Sequence, residues 1–539
     1  MDIKNETIKL IDDLKSTCQT YGMGNDGNEY KIITQMFLYK FMNDKFEYEI
    51  KKISEKLNNS NKWEEEFKNM NIDEREKLLD KLSEDIPRLQ PEHLIANLWN
   101  QQTKNDFATL LDDTMLDIGS KNIDIFSTQT TMKTKIPIFE KITIYVTDEN
   151  QRTPFARALI DKLVKFSFRE AFKQNYDFFA TIFEYLIKDY NTAGGGKYAE
   201  YYTPHSIATI MAKLLVGNDK DLHNIEIYDP SAGTGTLLIA LAHQIGEDKC
   251  TIFSQDISQR SNKMLKLNLI LNGLVSSLDN AIQGDTLVMP YHKNVDNSLK
   301  TFDYVVSNPP FKMDFSDTHD QIAAQSSRFW AGVPKIAPKK KDSMAIYTCF
   351  IQHVLNSLSE NGKGAIVVPT GFITSKNGIE NNILKYIADN HIVYGCISMP
   401  SNVFATTGTN VSVLFFDNSK KSENVVLIDA SKMGEDYQEG NNKKKRLCEE
   451  EIEKIINTFL NKEEAEDFSV IVDYNEIKEN NYSLSAGQYF DVKLEFESYT
   501  LDEFNIKFNS YKENIIKLID ESNKSENEIK RSLGEIKYE

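Results

Sequence analysis

Ile225-Glu226-Ile227-Tyr228-Asp229-Pro230-Ser231-Ala232-Gly233-Thr234-Gly235-Thr236 is the stretch that decides the fold. Residues 225–228 gather β-forming side chains and read as a compact strand. Pro, Ser and Gly then punctuate a turn, and 237–245 takes up helical character. A strand that runs through a glycine turn into a helix is the first half of a βαβ unit, which calls for an α/β fold with a parallel sheet. Gly233 and Gly235 let the backbone turn tightly and approach a ligand, while the helix start offers free N–H groups to negative or polar atoms. The loop lacks the Lys-Ser/Thr ending of a phosphate-cradling Walker loop and the third glycine of a dinucleotide fingerprint, which disfavours ATP and NAD. A plain β-to-α turn is the competing reading of the segment taken alone.

The same texture extends outward. From about residue 175 short apolar runs alternate with helical periodicity, and 252–254, 302–306, 364–368 and 411–416 read as further strands, with a helical stretch at 343–358. Asp256 follows the second strand, where a carboxylate accepts hydrogen bonds from both hydroxyls of an adenosine ribose; by itself such an Asp is a turn residue or helix cap. Gly284-Asp285 repeats the arrangement and places a carboxylate for an adenine amine. After the strand at 302–306 comes Ser307-Asn308-Pro309-Pro310-Phe311. Two prolines fix the backbone and remove two N–H donors, so the Asn308 side chain and the Pro309 carbonyl become a rigid pair of acceptors. Such a pair suits holding an amine by both hydrogens. Phe311 adds a face on which a planar base stacks, worth about 1–3 kcal/mol. Both loops lie at carboxyl ends of strands, where α/β sheets bind ligands.

These segments resemble the N6-adenine DNA methyltransferases that use S-adenosylmethionine, whose signature pairs a glycine-rich loop with N-P-P-F. The order is similar to the subgroup in which the cofactor loop precedes the catalytic one. Tyr201-Tyr202-Thr203-Pro204, ahead of a helix expected at 206–215, is similar to that family's Y-T-P element, which caps the methionine end of the cofactor. Phe404 with Thr407-Gly408-Thr409-Asn410-Val411 resembles the loop and strand that help hold the flipped base. Over most of its length the chain resembles the modification subunit of type I restriction-modification systems.

The resemblance implies an α/β, Rossmann-like S-adenosylmethionine-dependent methyltransferase sheet at 171–490. A mainly helical N-terminal domain at 1–170 precedes it, and a C-terminal helical docking segment follows at 491–539. It implies Asn308, Pro309, Pro310 and Phe311 as catalytic residues. The cofactor contacts it implies are Tyr202, Thr203, Pro204, Asp229, Ser231, Gly233, Thr234, Gly235, Thr236, Asp256 and Asp285, with no metal. An adenine inside a duplex must flip out to present its amine, at a cost of a few kcal/mol. The sulfonium methyl is already activated, so transfer needs positioning more than acid-base work, and no general base is assigned. The implied partners are double-stranded DNA, a specificity subunit, a restriction subunit and a second copy of the chain. Methylation of a protein glutamine amide, a solitary DNA methyltransferase and an inactive scaffold are the alternatives; the intact Asn308 to Phe311 motif speaks against the last.

Composition frames this reading. The 539 residues carry 63 Lys and Arg against 81 Asp and Glu, a net charge of −18 that repels phosphate backbones as a whole. Five scattered cysteines without a C-x-x-C pair fit reduced thiols and exclude a zinc site of ordinary spacing. The apolar runs are too short for a membrane span, and a cytoplasmic protein is expected. Near the start Ile33, Phe37 and Phe41 mark a helix with a charged run at 45–56 behind it. Leu501, Phe504, Phe508, Tyr511, Ile515 and Leu518 form an apolar seam at spacings of three and four. A polar break at 521–526 is expected to separate it from a second short helix at Ile529, Leu533 and Ile536, giving either an internal hairpin or a docking helix. Gly194-Gly195-Gly196 suggests a flexible entrance. Two basic islands, Lys335 with Lys339-Lys340-Lys341 and Lys443-Lys444-Lys445-Arg446, stand out from the acidic background; the first sits in a long connection that could order over DNA.

Overall fold

The chain alternates β3 (Ile225–Asp229), β4 (Cys250–Asp256), β5 (Ala281–Gln283), β6 (Phe302–Ser307) and β7 (Leu358–Pro369) with helices that include Thr236–Ile245, Gln259–Leu271 and Tyr347–Asn356. The computed structural model describes residues 3–24, 28–124, 126–130, 134–173, 182–183, 185, 203–219, 221–404, 410–420, 422–439, 442–490 and 500–535. It divides into two compact units, Met1–Tyr489 and Phe490–Glu539.

Six further strands join these five in the first unit: β1 (Ser127–Thr130), β2 (Lys135–Pro137), β8 (Val393–Ser398), β9 (Val411–Asp417), β10 (Asn424–Asp429) and β13 (Ser469–Asp473). Together they make a sheet of eleven strands in the order β13-β10-β8-β9-β7-β6-β3-β4-β5-β1-β2. The central run from β5 through β4, β3 and β6 to β7 is parallel. β9 runs antiparallel between β7 and β8. Strands buried on both faces carry near-continuous apolar sequence, and Val411 to Phe416 of β9 are accordingly all buried. From β3 the chain builds outward through β4 and β5, then returns to lay β6 on the other side of β3. That reversal of strand order opens a crevice between the carboxyl ends of β3 and β6, the place where such sheets bind ligands.

The five expected strands are present, each one or more residues longer than its apolar core. The first 170 residues are mainly helical, and the Glu29–Ile53 helix buries Ile33, Phe37 and Phe41 as the spacing requires. They also supply β1 and β2, which extend the sheet beyond β5. The buried Lys266 fastens this join: its Nζ donates to the Ser127 carbonyl at 2.6 Å and the Leu278 carbonyl at 2.8 Å. Burial pushes its ammonium down to about 7. Around it, Lys263 pairs with Glu140 at 3.1 Å and the Arg260 guanidinium lies over the Tyr30 ring at 4.2 Å.

The second unit departs from the expected pair of helices. Leu501–Glu535 is one continuous helix of 35 residues. The polar stretch at 521–526 contains neither glycine nor proline, and polarity alone does not end a helix. An internal hairpin at this end is therefore excluded. No described helix is long and apolar enough to cross a membrane.

Candidate active site

The β3 loop and the β6 loop meet at the crevice. Asp229 closes β3 with its carboxylate under the turn, accepting from the Ser231 N–H at 2.9 Å. The Ser231 hydroxyl then shares a hydrogen bond of 2.7 Å with the Ser307 hydroxyl at the end of β6. One further bond joins the motifs: Asn308 Nδ2 donates to Thr203 Oγ1 at 2.9 Å, tying the N-P-P-F loop to the start of the His205–Val216 helix. Thr203, Asp229, Ser231, Ala232, Thr234, Thr236, Leu237 and Asn308 line a small recess. Six of these were expected from sequence. Ala232 and Leu237 were not, because apolar lining gives no chemical signal; Ser307 stands in the motif, but its partner lies 76 positions away in sequence.

The two glycines serve different ends. Gly233 at φ 53° and Gly235 at φ 83° both occupy the left-handed region, which a side chain disfavours. A Cβ on Gly235 would come within 2.2 Å of Leu265 Cδ1, so its missing side chain admits the Gln259–Leu271 helix against the loop rather than a ligand. Gly233 instead turns its N–H toward Asp256, whose Oδ2 accepts it at 2.8 Å. Asp256 Oδ1 accepts from the Ser258 N–H at 2.7 Å. The Asp256 carboxylate thus braces the glycine loop. Asp285 behaves similarly: its Oδ1 accepts from Leu287 and Val288 N–H groups at 2.9 and 3.2 Å, closing the turn after β5. Neither carboxylate lines the recess.

Burial pushes the Asp229 carboxyl up to about 8, with the nearby Asp256 adding to the push against the Ser231 N–H. Asp256 is likewise raised by burial. Among the described residues nothing donates to Asn308 Oδ1 or to the Pro309 carbonyl. Phe311 is half-buried, its ring edge-on to Tyr347 with centroids 6.3 Å apart, and Tyr347 rests in turn on Phe372 at 6.0 Å. Pro204 caps the His205–Val216 helix. Tyr202, the triple glycine at 194–196 and Thr407 to Thr409 lie outside the described residues; Phe404 is buried.

Glu92, His93 and Asp117 form the one cluster among the described residues with metal-ligand spacing. It is already satisfied internally. The Gln90 N–H donates to His93 Nδ1 at 3.1 Å, so Nε2 carries the proton to Asp117 at 2.6 Å, and Lys121 neutralises Asp117 at 2.8 Å.

Residues 174–498, which contain both loops and the crevice, match the family model described as N-6 DNA Methylase. The chain belongs to this family. Its chemistry is transfer of a methyl group to the N6 amine of adenine in DNA, and neither the glutamine-amide nor the inactive-scaffold alternative is favoured. Among relatives, the chain is 30% identical over 396 residues to the type I restriction enzyme MpnII methylase subunit of Mycoplasma pneumoniae, covering 72% of this chain and 69% of that one. It is 28% identical over 396 residues to the MjaIX methylase subunit of Methanocaldococcus jannaschii, covering 70% and 67%. In fold it is similar to the type I methyltransferase subunit from Streptococcus thermophilus, with a TM-score of 0.72 at 20% identity over 91% of this chain and 99% of that one.

Proposed function

We propose that the chain is the modification subunit of a type I restriction-modification complex and that the crevice between β3 and β6 holds S-adenosylmethionine beside a flipped adenine. One observation carries the assignment of roles: Asn308 Oδ1 and the Pro309 carbonyl stand free as acceptors next to the polar recess, while Asn308 Nδ2 is already engaged by Thr203. Two fixed acceptors take the two hydrogens of the adenine amine and leave its lone pair for the methyl carbon. The lining fits the cofactor: a buried carboxylate suits its positive charge, four hydroxyls suit its polar groups, and a helix N-terminus suits its carboxylate.

S-adenosylmethionine supplies a methyl group already activated on a sulfonium. Asn308 and Pro309 would hold the amine nitrogen by its two hydrogens with its lone pair free toward the recess, and the proton released on methylation would leave to solvent. Phe311, backed by Tyr347, presents its face to the base. Thr203 orients Asn308, and Asp256 fixes Gly233 so that the cofactor loop keeps its shape. Asp285 supports the neighbouring turn. The division into 1–170, 171–490 and 491–539 fits these roles, with the last part as the docking element. The exposed seam of the Leu501–Glu535 helix, including Phe504, Phe508 and Ile515, is the surface for a specificity subunit. A restriction subunit and a second copy of this chain complete the assembly, and the protein works in the cytoplasm.

The test is incubation of the full chain, alone and with a specificity subunit, with labelled S-adenosylmethionine and duplex DNA. N6-methyladenine in the digested DNA is the expected product. Label in protein alone would overturn the assignment.

A further inference from the structure

The two basic islands look alike in sequence and differ in the fold. Residues 443–446 fall in β12 (Asn442–Arg446), which pairs antiparallel with the acidic β11 (Glu435–Glu439) in a separate two-stranded ribbon. The register sets Glu435 opposite Arg446 and Asp436 opposite Lys445. Directly opposed side chains on an antiparallel pair lie about 5 Å apart, so Lys445 and Arg446 each face an acid within their own ribbon. Lys335, Lys339, Lys340 and Lys341 have no such partner. All four are exposed, and no carboxylate stands within ion-pair distance of them among the described residues. Asp314 is held below the usual carboxylate range first by its bonds from Ser316 and last by Lys341.

The island rides on a segment that is firmly held. Buried Arg328 donates through Nη1 to the Thr286 carbonyl at 3.0 Å and through Nη2 to the Leu287 carbonyl, binding the segment to the turn after β5. Gln352, on the helix after the segment, accepts from the Ala331 N–H at 2.7 Å and donates to the Gly332 carbonyl at 3.0 Å. The Ser343 hydroxyl donates to the Lys340 carbonyl at 2.6 Å, closing the turn that carries the lysines. The segment also begins and ends at the catalytic loop. The Met313 N–H, two residues beyond Phe311, donates to the Met344 carbonyl at 3.1 Å. Lys341 is three residues before Met344, at most about 11 Å of chain.

We propose that Lys335, Lys339, Lys340 and Lys341 form a phosphate-contact surface for the duplex flanking the methylated adenine; this rests on the function proposed above. A net charge of −18 repels DNA at long range, but salt screens charges beyond about 8–10 Å. What decides docking is the local field, and four unneutralised lysines on a segment that begins and ends at the N-P-P-F loop supply it. Because the backbone beneath them is pinned, little loop ordering remains to oppose binding. The contacts are to phosphate, so they set position and affinity without reading sequence.

The full-length chain, alone and with its specificity partner, is treated with an amine-reactive reagent with and without an adenine-containing duplex, and the lysines are mapped by mass spectrometry. Lys335 and Lys339 to Lys341 are expected to be protected by the duplex, and Lys445 is not. In parallel, methyl transfer at subsaturating DNA is followed across salt for a variant combining Lys335→Gln, Lys339→Gln, Lys340→Gln and Lys341→Gln. Its salt slope should fall by about 0.9 for each phosphate that the variant no longer neutralises, on every target duplex alike. A Lys445→Gln, Arg446→Gln variant should keep the native slope. Unprotected lysines or an unchanged slope, with transfer intact in the native chain, overturn this inference and leave the function standing. A loss confined to one target sequence overturns it as well, since it would mean base reading. If the native chain and its complex make no N6-methyladenine and show no protection, the proposed function falls and this surface with it.

Discussion

The tips of β3 and β6 and those of β4 and β5 carry the same kind of loop in sequence, a strand ending in an Asp, Asn or Gly-Asp, yet only the inner pair brings its polar side chains to the recess. At the inner pair, Asp229 and Asn308 line the recess, and Asn308 keeps Oδ1 unengaged. At the outer pair, both oxygens of Asp256 and one of Asp285 are taken by backbone N–H groups. A strand tip fixes where a side chain sits. Whether its lone pairs remain for a ligand depends on which main-chain donors the next turn aims at it, and a turn's donors are invisible until it has folded.

The sharpest way to break this division is Asn308→Ala. Removing one of the two acceptors of the amine should slow single-turnover methylation by about 10³-fold, the scale of losing one aligned transition-state partner, while cofactor affinity measured by calorimetry stays close to native. A parallel collapse of cofactor binding would mean that the β6 tip is structural after all. Asp256→Ala should do the reverse. It strips the Gly233 and Ser258 N–H groups of their acceptor, and with charge-assisted bonds at stake a stability loss of about 3 kcal/mol is expected in denaturant unfolding. Native stability with lost cofactor affinity would move Asp256 into the inner group. Thr203→Val is a milder test, since it removes the acceptor that orients Asn308. About tenfold slower transfer is expected, restored by Thr203→Ser; equal rates for Val and Ser would show that Asn308 needs no guide.

Much of this was legible in sequence where the signal is local. The strand at 225–228 and the glycine turn after it could be read because a few adjacent residues specify them, and so could Asn308 to Phe311. β1 escaped notice because Ser-Thr-Gln-Thr at Ser127–Thr130 has no apolar alternation and becomes a strand through its parallel partner β5. β8 (Val393–Ser398) was hidden by Gly395, where a Cβ would come within 2.2 Å of the Phe459 ring, so a distant helix sets that residue. The continuous Leu501–Glu535 helix was misjudged because a polar stretch was treated as a stop, when only a backbone-breaking residue or a cap provides one. At the site, the residue types were readable; the Ser231 to Ser307 and Asn308 to Thr203 bonds are tertiary events that no spacing encodes.

The subtlest expected effect concerns Asp229 and its proton. Burial raises this carboxyl from 3.8 to about 8, so the folded, empty protein favours the protonated form more than the unfolded chain does. The stability this provides is complete below pH about 4 and lost as pH rises through about 8; the thermal midpoint should therefore decline across that window, and Asp229→Asn should flatten the decline. A cation seated beside Asp229 reverses the preference, because an opposite charge favours the ionised carboxylate. At pH 7 a group with a pKa of about 8 is about nine-tenths protonated, so binding of cationic S-adenosylmethionine should release close to one proton. Calorimetry in two buffers of different ionisation enthalpy reads that number directly. Asp229→Asn should abolish the release, and Asp285→Asn at the outer tip should leave it unchanged. Release that survives Asp229→Asn would place the titrating group elsewhere, with Asp256, likewise raised by burial, the next residue to replace.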